Sequence, residues 1–101
     1  MITTQKQQPE VGREYNVVGH PRASYLGERN EKHFFKYEDA ERGTMIVTTP
    51  AQYTTLENDT IRIKPGSTFR TGLVSLKGIK EQPEAAGLLK ILGELGVRVA
   101  A

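Results

Sequence analysis

Hydrophobic positions along this chain recur with a period of two over most of its length and switch to a helical period only near the end. Gly12-Arg-Glu-Tyr-Asn-Val-Val-Gly19 mixes β-branched and aromatic residues between glycines and reads as a first strand, with Tyr15 and Val17 sharing a face. His20-Pro21 punctuates it, Arg22 to Leu26 continues it beyond a bend, and Gly27 to Glu31 has the composition of a turn. Lys32 to Tyr37 is a second strand, Glu38 to Gly43 a charged turn, and Thr44 to Thr49 a third strand closed by Pro50. Ala51 to Leu56 fits no single pattern. Glu57-Asn-Asp59 is a turn signal before the cleanest alternation, Thr60-Ile-Arg-Ile-Lys64, and Pro65-Gly66 leads into a further strand over 68–79, bent at Gly72.

The period changes after Pro83, which suits the first turn of a helix. Ala85, Leu88, Leu89, Leu92 and Leu95 recur at steps of three and four, so the pattern predicts an amphipathic helix over 83–95. Gly96 is its expected cap, and Val97-Arg-Val99 is expected to add a short edge strand. The whole predicts a mainly β (α+β) fold, a small five-stranded barrel or sandwich with one C-terminal helix. Residues 1–10 read as a flexible polar arm and 11–101 as one domain.

Composition narrows the class. The chain has 101 residues, enough for one domain with a modest core, and no cysteine, which removes disulfides, thiolate metal sites and a cysteine nucleophile. No run approaches the ~20 apolar residues of a membrane-spanning helix. The N-terminal residues have no apolar stretch of the secretory kind, and the expectation is a soluble, cytoplasmic domain. The net charge is only +2, yet residues 60–80 carry Arg62, Lys64, Arg70, Lys77 and Lys80 and no acid. Such a stretch makes either an anion-attracting face or a solvated strand face.

Catalytic and cofactor signatures are missing. His20 and His33 have no partner at metal-ligand spacing, no glycine-rich phosphate loop precedes a helix, and no serine sits in a nucleophile elbow. Glu38, Asp39, Glu41, Glu57 and Asp59 lie in polar turns, where carboxylates stay solvated and ionised. The expectation is therefore a non-enzymatic protein without metal or cofactor. The remaining constellation is aromatic and basic. Five of the seven aromatics fall between Tyr15 and Tyr37, interleaved with cations. In Lys32-His-Phe-Phe-Lys-Tyr37 the faces are Phe34/Lys36 and His33/Phe35/Tyr37, and one of them must supply core.

Gly12-x-x-Tyr15-x-Val17-x-Gly19, a basic loop, and Phe34-Phe-Lys-Tyr-Glu-Asp39 followed by Gly43-Thr-Met-Ile-Val47 resemble the first three strands of OB-fold nucleic-acid-binding domains. The resemblance covers residues 12–47. It implies nucleic-acid contact on strands two and three and the adjoining loops. The chain departs from that pattern in placing its clear helix at the C-terminus. The resemblance assigns no particular residue. The aromatic–basic hairpin and the acid-free stretch make Arg22, Arg29, Lys32 and Lys36 the expected phosphate contacts, Arg62, Lys64 and Arg70 a second basic edge, and Tyr25 and Phe34 the residues that stack on bases of single-stranded DNA or RNA with little sequence preference. The alternative is a structural or assembly subunit of a larger complex or virion, a homo-oligomer included, docking through β edges and the C-terminal helix.

Overall fold

The computed structural model describes residues 8–64 and 71–99. Its elements are β1 (Glu14–Val17), β2 (His20–Arg29), β3 (Lys32–Asp39), β4 (Gly43–Pro50), β5 (Thr54–Glu57), β6 (Thr60–Ile63), β7 (Gly72–Ser75) and α1 (Ala86–Glu94). Short 3₁₀ turns at Ala51–Tyr53, Ile79–Glu81 and Pro83–Ala85 connect them. Mainly β with one C-terminal helix is therefore the fold class. The strands number seven rather than five, in one sheet of order β5-β6-β1-β2-β3-β4-β7. Every pair is antiparallel except β1 with β6. The sheet is not closed, because β5 and β7 remain its two edges among the described residues. Residues 1–7 of the arm expected over 1–10, the Pro65-Gly66 turn, the first part of the strand expected over 68–79, and Arg70 lie outside the described residues.

Two-residue hairpins set the registers of the first strands. Val18-Gly19, Asn30-Glu31 and Asn58-Asp59 all have positive φ at both positions, the geometry whose twist matches that of paired strands. The β2–β3 turn is thus Asn30-Glu31, not the whole of 27–31. Gly27 lies inside β2 at a bulge, where the register against β3 slips between Tyr25 and Gly27. Its φ is 137°, and a Cβ there would stand 2.9 Å from Leu95 Cδ2, so glycine lets α1 approach the sheet. Pro21 also lies within β2. It occupies a second bulge, opposite Asn16, where its missing N–H disturbs no ladder bond.

The sheet is buried on both faces at β3 and β4. On one face Tyr15, Val17, Ala23, Tyr25, Phe35, Val47 and Ile61 form a core supplied by β1, β2, β3, β4 and β6. On the other, Phe34 and Ile46 pack with Leu76, Ile79, Ala85 and Leu92 beneath α1. Adjacent residues Phe34 and Phe35 are therefore both core, where a one-sided sheet would have buried only one. Helix α1 ends as the sequence predicts. Gly96 has φ of 85°, its N–H reaches Gly93 O at 3.1 Å, and Val97 N–H reaches Leu92 O at 2.8 Å. Val97–Val99 forms no strand; Val97 and Val99 pack against the helix-side core instead.

Candidate nucleic-acid interface

Burial decides the fate of the two expected stacking residues. Tyr25 is 6% exposed and its hydroxyl lies 2.9 Å from His33 Nδ1, inside the first core. Burial, with the Glu28 carboxylate next in effect, pushes its phenol up to about 12. Phe34 is 2% exposed beneath α1. Neither ring is available to a base in this fold, which corrects both assignments. The cause is that β3 is covered on both faces: Tyr25 packs beside Phe35 on one, and Phe34 lies under α1 on the other.

The expected cations do not converge either. Arg29 sits 3.5 Å from Glu94 at the start of the β2–β3 turn, next to exposed Lys32. Lys36 is half-buried in the row Ser24–Lys36–Ile46 across β2, β3 and β4. Arg22 is exposed with φ of 59° at the Pro21 bulge, by the opposite end of β3. Arg62 and Lys64 are exposed, Arg62 opposite Thr55 of β5.

A different set comes together around the β3–β4 turn. On one side of it is an open cleft of about 450 Å³ lined by His20, Tyr37, Glu38, Asp39, Arg42 and Leu73, among others. His20 and Tyr37, both half-buried, stack there with ring centroids 5.1 Å apart and planes 22° apart. On the other side is a cleft of about 530 Å³ whose charged lining is Lys77, Lys80, Arg98 and Glu81. No ion pair holds Lys77, Lys80 or Arg98 among the described residues. Three cations against one acid make this cleft anion-attracting.

Local geometry builds that end of the molecule. Asp39 accepts the N–H of Glu41 at 2.8 Å and of Arg42 at 2.9 Å. These backbone bonds, that of Arg42 first, hold its carboxyl below the usual range. Glu38 accepts the Thr44 hydroxyl. Ser75 Oγ donates to Arg42 O at 2.9 Å and so ties the turn to the end of β7. Gly78, with φ of 72°, then turns the chain so that Lys77 and Lys80 line one cleft. Lys77 and Lys80 belong to the acid-free stretch noted in the sequence. Arg98 and the His20–Tyr37 pair were missed, because only the topology brings residues 20, 37, 77 and 98 to one end.

Among the described residues no group of three His, Asp or Glu side chains is placed to hold a metal, and no helix is long and apolar enough to cross a membrane. No protein-family model, curated protein or solved structure matches this chain.

Proposed function

We propose that this protein is a non-enzymatic module that binds single-stranded nucleic acid at the β3–β4 turn end of its sheet. The observation that carries this reading is the cleft of Lys77, Lys80 and Arg98, without an ion pair and opposed by one acid among the described residues, beside a half-buried stacked His20–Tyr37 pair. Phosphates enter the Lys–Arg cleft, since the Glu38 and Asp39 carboxylates on the His20 side repel them. A base meets the face of the Tyr37–His20 stack, which supports single strands over duplex because a duplex keeps its base faces covered. The likeness of residues 12–47 to OB-fold domains suits the same class of ligand; Tyr37 and the β3–β4 turn lie in the strands and loops it implied, while Lys77, Lys80 and Arg98 lie beyond them.

Fluorescence anisotropy with labelled single strands and duplex, titrated against salt, tests it. Three neutralised phosphates give a log–log salt slope of about −2 on single strands, and non-specific affinity of this kind falls between roughly 10⁻⁴ and 10⁻⁶ M. Lys77→Gln with Lys80→Gln should flatten the slope by about 1.4. Tyr37→Ala should weaken binding by about 1–3 kcal/mol without changing the slope. Absence of salt-dependent binding would sink the reading. The assembly-subunit reading stands second, supported by the two unpaired sheet edges among the described residues and by the half-covered apolar stripe of Leu88, Leu89 and Ile91 on α1 with Leu95 just after it.

A further inference from the structure

Among the described residues the most exposed large apolar one is Val11, at 72%, and exposed Glu10 precedes it. This pair does not hang on a loose arm. Glu10 N–H donates to the Tyr15 hydroxyl at 2.7 Å, Gly12 N–H to Tyr25 O at 2.9 Å, and Arg13 N–H to Glu10 O at 3.1 Å. An apolar side chain and a carboxylate are thus presented side by side on backbone anchored to β1 and β2. Elsewhere, between α1 and the sheet, Phe34, Ile46, Val74, Leu88 and Ile91 wall a groove of about 220 Å³ with Lys32 at its rim. No acid lines the groove among the described residues, and Lys32 has no ion-pair partner among them. A cavity of 150 Å³ with such walls admits a benzene ring, so this one has room for a valine side chain.

We infer that the groove receives Val11 of a second copy of this chain, with Glu10 of that copy against Lys32. Apolar surface and charge are complementary between the two patches: an isolated valine with an acid beside it, and an apolar slot with a cation beside it. The patches are different surfaces of one molecule, so the contact is heterologous and each added copy leaves a free anchor and a free groove. Such contacts build rings or filaments, and one valine entering a pocket of Phe and Leu walls is sufficient to drive them. A contact this small is weak, and association belongs in the range of roughly 10 μM to 1 mM. The inference is independent of nucleic-acid binding.

Sedimentation velocity of the full chain over that concentration range, without nucleic acid, tests it. Wild type should pass from monomer to species beyond the dimer. Val11→Asp loses the anchor but keeps the groove, and Ile91→Glu loses the groove but keeps the anchor, so each alone should stay monomeric. An equimolar mixture of the two should stop at a dimer, since one copy gives its anchor to the other and neither can extend. Because Ile91 is partly buried, exposed Lys32→Glu provides a second groove variant, and adding Glu10→Lys to it should restore association. A wild type that is monomeric throughout, association that survives Val11→Asp, or a mixture that stays monomeric would each overturn the inference.

Discussion

Val18 is a β-branched residue with φ of 47°, paired with Gly19 in the hairpin between β1 and β2. Left-handed backbone costs an L-residue about 1–2 kcal/mol, and asparagine meets less of that cost because its short polar side chain bonds locally. The side chain is 40% exposed, so little packing is lost on replacing it. Val18→Asn should therefore raise stability by about 1 kcal/mol, read as a higher urea midpoint at unchanged slope. Tyr25 gives a second residue-level expectation. Its phenol ionises at about 12 in the folded protein and near 10 when unfolded. A raised folded pKa contributes stability that is complete below pH 10 and lost as pH rises to 12, a loss of about 2 kcal/mol. Tyr25→Phe should cost about 1–2 kcal/mol at neutral pH, by removing the hydroxyl from His33 Nδ1, and should lack that alkaline decline. Denaturant titrations from pH 7 to 12 on both proteins check it. That Tyr25 and Phe34 are buried was not legible in the sequence. Alternation shows which residues share a face, but a strand covered on both sides gives no polar face by which to orient it.

At the scale of elements, periodicity was a reliable guide where one face met solvent and turns were short. β1, the β3–β4 hairpin, β6 and α1 all lie where their patterns place them. β2 was harder to read because Pro21 and Gly27 look like breakers, yet both occupy bulges inside a ten-residue strand. Ala51 to Leu56 gave no pattern because it is half 3₁₀ turn and half edge strand. Helix α1 is attached through few residues. Leu92 is its fully buried side chain, while Leu88, Leu89 and Ile91 remain partly exposed. Leu92→Ala should cost about 3 kcal/mol, with amide exchange accelerating in α1 and at Leu76–Ile79 ahead of β1 and β2. Equal acceleration everywhere would show that helix and sheet unfold as one unit.

For the molecule as a whole, what the sequence hides is adjacency. Arg98 and Lys77 are 21 positions apart and His20 and Tyr37 are 17 apart, yet the strand order puts all four around one turn. Charge counting located Lys77 and Lys80 but grouped them with Arg62, which β6 carries opposite Thr55, and with Lys64, which follows β6. The same topology governs solubility. Thr44-Met-Ile-Val-Thr-Thr49 is six uncharged, mostly β-branched residues with no proline or glycine, the composition of a fibril-forming segment. In the native sheet β3 and β7 occupy both of its edges, and Ile46 lies under the core that α1 completes. Detaching α1 uncovers one face of that segment, and losing the four-residue β7 opens its edge, while β1, β2 and β3 remain paired. Heat or substitution that loosens this corner therefore converts a folded molecule into an aggregation template, and turbidity on warming should precede the loss of its β-sheet circular dichroism.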